Sequence, residues 1–351
     1  MKQPVVRPAP RLHRSPPGKA WLLTAALGAA CADQGGDAGA QARDAAVGAG
    51  PTSVSDAGSV PEGRAEPCAL PIPQVGAFER IHDPSEGELT PWYINDHSIV
   101  HGPDQRWHLF GITDAEPALS PKDEVEFAHA SAPALTAPMW TKHAAALRAD
   151  ESVGESLLWA PHVIFYEGLY YMFYTAGGQD GRAYQMRLAT SSDLVAWTRE
   201  PRPLFVDGFE ARDPFVIRIG ERWVMYYTAT DEPAGGHHVV AYRTSVDLRD
   251  WGERAIAFRD ESMGLGGGPT ESPFVVARDA GYYLFIGPRN DYVSTAVYFS
   301  RDPLGFQGPS ITEIEAHAPE IVRDLDGSEY ITHAGWGQGG VFLAPLRWTC
   351  P

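Results

Sequence analysis

A two-part pattern of apolar and polar residues recurs five times along the chain. In each copy a short polar or acidic cluster leads into an apolar run, and a polar turn separates that run from a second one rich in aromatic residues. The copies cover residues 95–100 with 107–110, 160–164 with 170–174, 212–216 with 223–227, 271–275 with 282–286, and 318–322 with 329–333. The pattern predicts two β-strands joined by a tight turn in every copy.

Two short strands cannot bury their own apolar faces, so repeated units of this kind stack and share a core. An arrangement of the copies around an axis satisfies every unit at once. We therefore predict an all-β fold, a single-domain five-bladed β-propeller, in which the first strand of each blade lines the central axis.

Acidic residues begin the first strand in three of the copies, at Asp96, Asp213 and Glu271. We expect them to occupy corresponding places in the repeat and to point toward the common axis. Like charges gathered in a partly desolvated site repel and raise one another's pKa, which suits acid and base chemistry better than it suits stability. The alternative is that each acid is a turn residue that bonds its own backbone. Glu271 fits that alternative least, because Glu is a weak turn former.

The N-terminal residues predict export. A basic segment without acidic residues is followed by an apolar run at 20–30 and by Cys31, as in a signal peptide. The small residues before Cys31 resemble a lipoprotein processing box, so we predict a lipoprotein-type signal at 1–31, with plain secretion as the alternative. Residues 32–67 contain no aromatic residue and predict a disordered tether. The propeller domain would then span 68–351, on a protein anchored to a bacterial envelope by lipid on Cys31, or secreted.

The net charge limits the classes of partner, and the cysteine content indicates a disulfide. The formal net charge of -17 argues against nucleic acid or an anionic membrane surface as a partner, and we expect a monomer. If Cys31 carries lipid, Cys68 and Cys350 are left as a pair at the two ends of the folded part. In an exported protein they are expected to form a disulfide that fastens the first segment to the last blade, with two unrelated free thiols as the alternative.

Several of these segments resemble motifs of glycoside hydrolase families 32 and 43. The family 32 likeness lies in Trp92-Tyr93-Ile94-Asn95-Asp96, similar to Trp-x-Asn-Asp-Pro-Asn-Gly, in Arg212-Asp213-Pro214, and in Glu271-Ser272-Pro273, similar to Glu-Cys-Pro. The family 43 likeness lies in Asp96-His97-Ser98-Ile99-Val100, similar to Asp-Pro-Ser-Ile-Val, and in Trp159-Ala160-Pro161-His162. The sequence departs from these patterns where His97 replaces a proline, where Ser272 replaces a cysteine, and at an extra residue between Trp92 and Asn95.

The resemblance implies hydrolysis of an O-glycosidic bond in an oligo- or polysaccharide of fructose, arabinose or xylose. Glu271 would be the general acid, and Asp96 would attack the anomeric carbon or activate a water. Asp213 would hold sugar hydroxyls and keep Glu271 protonated. The expected substrate-binding residues are Asn95, Trp92, Trp159, His162, Arg212 and Trp336.

Two alternatives stay open at this stage. A carbohydrate-binding propeller without catalysis, a surface lectin or sensor, would keep the same central funnel. We expect no cofactor or metal, although some family 43 enzymes hold an axial calcium through a histidine and waters. His162, His317 and Glu320 are the residues placed for such an ion, but buried histidines bonded to backbone are commoner.

Overall fold

A computed structural model describes residues 70–118, 120, 123–177 and 183–350. The predicted signal peptide and tether, with Cys31 and Cys68, lie outside these residues. Cys350 is disulfide-bonded. Within the described part of the chain, no helix has the length and apolar character needed to cross a membrane.

The described strands form five antiparallel sheets. The chain begins with β1 (Ile72–Val75) and β2 (Glu79–His82). The first blade follows with β3 (Trp92–His101), β4 (Trp107–Ala115), β5 (Glu126–Ala132), β6 (Thr141–Lys142) and β7 (Leu147–Arg148). After a short 3-10 helix (Glu151–Val153), the second blade contains β8 (Leu158–Tyr166), β9 (Leu169–Gly177), β10 (Tyr184–Ser191), β11 (Thr198–Arg199) and β12 (Phe205–Val206).

The remaining blades have fewer strands of their own. The third contains β13 (Arg212–Ile219), β14 (Arg222–Glu232), β15 (Gly235–Ser245) and β16 (Ala255–Met263). The fourth contains β17 (Glu271–Arg278), β18 (Gly281–Arg289), β19 (Ser294–Ser300) and β20 (Thr312–Ile314), and the fifth contains β21 (Ile321–Arg323), β22 (Glu329–His333) and β23 (Val341–Thr349). The innermost strands are β3, β8, β13, β17 and β21, each the first strand of its copy. The predicted all-β, five-bladed propeller is confirmed.

The fifth blade is built from both ends of the described chain. Strand β1 pairs with β23 from Ile72 opposite Thr349 to Val75 opposite Leu346, and β2 pairs with β23 farther along. The N-terminal strands therefore supply the outer edge of the last sheet, and backbone hydrogen bonds close the ring.

The aromatic second strands lie in the middle of each sheet, with a neighbouring blade on either side. In β9, Met172, Phe173 and Tyr174 are fully buried because side chains on both faces of the strand contact apolar clusters. One such cluster joins Phe110 of the first blade to Met172 of the second. This two-sided burial explains why these strands are continuously apolar instead of alternating.

Four of the five inner strands, β3, β8, β13 and β17, carry a β-bulge at the same place. In β8, Trp159 pairs with Thr175 and His162 with Phe173, so that Ala160 and Pro161 together face one residue of β9. The corresponding pairs are Asn95-Asp96, Asp213-Pro214 and Ser272-Pro273, and Ala318-Pro319 precedes β21. The first residue is left-handed in four of the five, with φ between 44° and 56° at Ala318, Ala160, Ser272 and Asp213. Proline suits the second position because it has no N–H to leave unpaired.

Ile81 on β2 tests the contribution of the N-terminal strands to ring closure. Its side chain is 3% exposed and packs in the cluster that joins Leu343 of the fifth blade to Ile94 of the first. Because a large-to-small change in such a core leaves a cavity, Ile81→Ala should lower the free energy of unfolding by about 2–5 kcal/mol. Urea unfolding measures this, with Ile256→Ala, whose side chain is 43% exposed on β16, as the control. Equal midpoints for the two variants would contradict a closing role.

Candidate active site

The beginnings of the inner strands open onto a pocket of about 210 Å³. Three predicted acids lie on its wall, Asp96 from β3, Asp213 from β13 and Glu271 from β17. Two aromatic pairs flank them, with ring centroids 5.0 Å apart for Trp159 and Tyr184 and 5.4 Å apart for Tyr292 and Trp336. The pocket thus combines carboxyl groups with apolar ring faces, as a sugar site requires.

The three acids reach the pocket from different positions of the repeat, so the expectation that they correspond is wrong. Relative to the bulge, Glu271 is the residue before it, Asp213 is its first residue and Asp96 is its second. Asp96 therefore stands where the other blades have proline. His97, predicted to replace that proline, aligns instead with His162.

Arg212 joins the acids into one network. Its guanidinium is buried and lies 2.7 Å from Asp213 Oδ2, 2.8 Å from Glu271 Oε1 and 3.4 Å from Glu210 Oε2. Burial alone would lower the pKa of Arg212, but the three carboxylates hold it well above its ordinary value. A permanently charged, forked donor is suited to this task, because it offsets the repulsion between carboxylates that share a desolvated site.

Asp213 is fixed by several further hydrogen bonds. In addition to Arg212, its Oδ2 accepts from Thr228 Oγ1 at 3.0 Å and from the Ser272 backbone N–H at 3.2 Å. Its own N–H donates to Thr175 Oγ1 at 3.1 Å. These hydrogen bonds stabilise the left-handed backbone at Asp213, as surrounding contacts usually do for strained residues at functional sites.

Glu271 combines a buried carboxyl with an ion pair. Its Oε1 accepts from Arg212 and from the backbone N–H of Gly268 at 3.0 Å. Burial raises the pKa of Glu271, Arg212 opposes that rise, and the charge of Asp213 adds to it. A carboxyl that keeps its proton to higher pH than usual can act as a general acid.

Asp96 meets the fourth blade through Ser272, whose hydroxyl donates a hydrogen bond to Oδ1. Burial raises the pKa of Asp96 to about 8; Asp213 and Glu271 add to the rise, and the bond from Ser272 and the charge of Arg212 oppose it. The charge of Asp213 thus affects the pKa of Asp96 more than the charge of Glu271 does.

Four of the six expected binding residues line the pocket: Asn95, Trp159, Arg212 and Trp336. Trp92 and His162 do not line it. The Trp92 ring faces Lys142 Nζ at 5.5 Å. His162 follows its bulge and lines a second cavity, on the axis, that Asp96 and Asp213 also line. There its Nε2 bonds the Val216 carbonyl at 3.1 Å and its Nδ1 lies 3.4 Å from Glu320 Oε1.

The axial cavity measures about 30 Å³, enough for about two waters. Glu320 is already engaged there, because its Oε2 accepts from the Ile99 N–H at 2.9 Å. Across the described residues, no group of three or more His, Cys, Asp or Glu is arranged to hold a metal ion.

The pocket also contains residues that the sequence pattern did not single out, namely Ile112, Glu124, Tyr184, Glu210, Gly266, Gly267 and Tyr292. Glu210 accepts from the Gly266 N–H at 2.6 Å, and its place two residues before Arg212 could have marked it. Tyr292 lies in the turn after β18, where Asn290, Asp291 and Tyr292 all have left-handed φ of 52° to 67°. These residues lie mostly outside the repeated strands, so periodicity gave no signal for them.

A five-bladed propeller with carboxyl groups converging beside its axis defines a class of glycosidases, and the comparisons agree. Residues 91–303 match the model of the glycosyl hydrolases family 32 N-terminal domain. The match covers more than half of the chain, so this chain belongs to glycoside hydrolase family 32, and it is a glycosidase. The resemblance to the superfamily of families 32 and 43 is confirmed.

Solved structures from both families share the fold. A thermostable family-43 glycoside hydrolase is 19% identical with a TM-score of 0.57, over 73% of this chain and 89% of that one. An endo-arabinase from Bacteroides thetaiotaomicron is 16% identical with a TM-score of 0.55, over 74% and 94%. A GH32 beta-fructofuranosidase from Bombyx mori is 16% identical with a TM-score of 0.53, over 79% and 61%.

Ser272 offers a test of the ionisation of Asp96. Its hydroxyl lowers the pKa of Asp96, so Ser272→Ala should raise that pKa and move the ascending limb of the pH profile of kcat/KM to higher pH. A hydrogen bond to a charged group is worth about 1.5–3 kcal/mol, which corresponds to a shift of about one pH unit or more. Ser262→Ala, which removes an exposed Ser–Asp bond to Asp260, is the matched control. An ascending limb at the same pH in both variants would show that Asp96 does not govern it.

Proposed function

We propose that this protein hydrolyses the O-glycosidic bond of a fructoside, with arabinose- or xylose-containing glycans as the second candidate substrates. The observation that carries the proposal is the convergence of Asp96, Asp213 and Glu271 in one pocket between aromatic rings. Fructosides come first because of the family 32 match and the likeness to a family 32 beta-fructofuranosidase. The likenesses to an endo-arabinase and to a β-xylosidase support the second candidates.

The three carboxyl groups divide the chemistry between them. Glu271, protonated, gives its proton to the departing oxygen as the glycosidic C–O bond breaks. Asp96, ionised, either forms a bond to the anomeric carbon or takes a proton from the water that does so. Asp213 is fixed by Arg212, Thr228 and Ser272, and its second oxygen is available to sugar hydroxyls.

The size of the pocket supports action on a single terminal sugar. Its volume of about 210 Å³ is below the roughly 300–1,000 Å³ of pockets that take drug-sized ligands. One furanose or pentose ring fits such a space better than several linked units do. We therefore propose release of monosaccharides from chain ends, and chromatography of early products distinguishes this from internal cleavage, which gives oligosaccharides first.

We also propose that the protein is exported and held at the envelope by lipid on Cys31. The support is the basic segment, the apolar run at 20–30 and the small residues that precede Cys31. Labelling of cells with a radioactive fatty acid tests this. Label in the wild type and none in Cys31→Ser is the expected result, and an unlabelled wild type would contradict the anchor.

One observation favours a second function, a carbohydrate-binding propeller without catalysis. The acid Glu271 is ion-paired with Arg212 at 2.8 Å, and a nearby cation favours the ionised carboxylate. If that pairing keeps Glu271 ionised in the complex with sugar, the site binds sugars but cannot protonate a leaving group.

Glu271→Gln separates the two functions. Gln is nearly isosteric but has no proton to give, so turnover of sucrose, inulin, levan, arabinan or xylan should fall by about 10²–10⁴-fold. An aryl glycoside with a good leaving group should lose less, because its departure needs no protonation. Glu261→Gln, at an exposed position on β16, is the matched control.

The outcomes are distinct. Hydrolysis that is lost in Glu271→Gln and kept in Glu261→Gln supports the enzyme and identifies its sugar. Equal losses on natural and aryl substrates would refute the role of Glu271 as acid. A wild type that hydrolyses nothing on the panel, while a sugar raises its melting temperature, would instead support the binding propeller.

A further inference from the structure

Glu124 is a buried carboxyl group in the pocket wall that the proposed chemistry does not use. It lies just before β5, with a side chain that is 2% exposed. Its backbone carbonyl accepts from the N–H of Leu158 at the start of β8, which fixes the main chain between the first and second blades. A buried carboxylate without a structural cation is costly unless donors surround it.

Three donors from three blades meet this carboxylate. Tyr93 of β3 donates its hydroxyl to Oε1 at 2.7 Å, and Trp336, in the loop after β22, donates its indole N–H to the same oxygen at 3.1 Å. The Trp159 side chain, on β8, also hydrogen-bonds Glu124. An indole N–H can only donate, so it needs an acceptor when it is withdrawn from water. Glu124 supplies that acceptor to both tryptophans of the pocket.

The two tryptophans belong to different aromatic pairs in the pocket wall. Trp159 pairs with Tyr184, and Trp336 pairs with Tyr292. Trp336 lies in a glycine-rich loop in which Gly337, Gly339 and Gly340 all have positive φ. With a side chain that is 40% exposed, Trp336 depends on few contacts for its orientation. Its bond to Glu124 is one of them.

We propose that Glu124 is a positioning residue that fixes Trp159 and Trp336 as the two aromatic walls of the pocket, and so sets the affinity for the sugar ring. It acts through the tryptophans and does not touch the bond that is cleaved. The kinetic part of this inference rests on the proposed hydrolase function, whereas the structural part does not.

The structural part is tested in the protein without sugar. With ¹⁵N-labelled tryptophan, Glu124→Gln should shift the indole N–H resonances of Trp159 and Trp336 and leave the other indoles in place. The two resonances are assigned from Trp159→Phe and Trp336→Phe. Glu126→Gln, two residues along and ion-paired with Arg148 outside the pocket, is the matched control and should shift neither. Unshifted resonances in Glu124→Gln would overturn the inference.

The kinetic part is tested on whichever substrate the wild type cleaves. Loss of an interaction that holds substrate and transition state equally raises KM and leaves kcat unchanged, so Glu124→Gln should raise KM roughly tenfold with kcat within about threefold. Trp336→Phe keeps a ring but removes its donor. Glu124→Gln replaces a charged acceptor with a neutral one and Trp336→Phe removes the donor; because both changes act on the same hydrogen bond, the double variant should lose less than the sum of the two.

Other results would refute the positioning role. A fall in kcat at unchanged KM would place Glu124 in the chemistry, and additive losses in the double variant would show that Glu124 and Trp336 act separately. If the wild type hydrolyses nothing, the proposed function fails, but titration with fructose, arabinose and xylose still decides the inference. Weaker binding in Glu124→Gln than in Glu126→Gln supports it, and equal binding overturns it.

Discussion

The β-bulge in the inner strands is the constraint on which the rest of the structure depends. Two residues of the inner strand face one residue of its neighbour in the blades, and the extra residue bends the strand at the level of the pocket. Side chains before the bulge and within it, such as Glu271 and Asp213, reach the pocket. Those just after it, such as His97 and His162, line the axial cavity, and Asp96 and Asp213, within the bulge, line both the cavity and the pocket. One local irregularity thus places two acids between the axis and the chemical site.

Arg212 makes the acid cluster compatible with burial. The desolvation free energy of several buried carboxylates exceeds the stabilisation that they gain from packing, unless a cation lies among them. Arg212 contacts Glu210, Asp213 and Glu271, whereas Asp96 depends on a neutral donor, Ser272. The difference explains why burial and the neighbouring acids raise the pKa of Asp96 to about 8 despite that bond. The same ion pair that stabilises the cluster opposes protonation of Glu271, so catalysis and stability make opposite demands on Arg212.

The sequence was sufficient to predict the frame, which is the five blades and the three acids, but not the walls, which are the other residues that line the pocket. Periodicity identifies the blades because apolar runs such as 170–174 repeat wherever a strand is buried on both faces. It also finds Asp96, Asp213 and Glu271, yet it places them in one register, since a one-residue displacement at a bulge leaves no mark in an apolar pattern. The sequence pattern does not show that Trp92 lies outside the pocket, since an aromatic residue near a motif can face either side of a strand. Glu124 and Tyr292 lie in connections, whose conformation depends on contacts from other blades.

This division between frame and walls bears on how specificity arises in such a fold. The acids are carried by strands whose positions are fixed by the cores between blades, where a change of one side chain disturbs two sheets. The walls are carried by connections: the segment before β5 with Glu124, the turn with Tyr292, and the glycine-rich loops at 264–268 and 335–340. Substitutions there leave the blade cores intact, so the rings that meet the sugar can change while the acids stay in place. Glu124 limits which substitutions the walls tolerate, because its carboxylate accepts hydrogen bonds from residues of three blades. Any changed wall must still provide donors to that buried carboxylate.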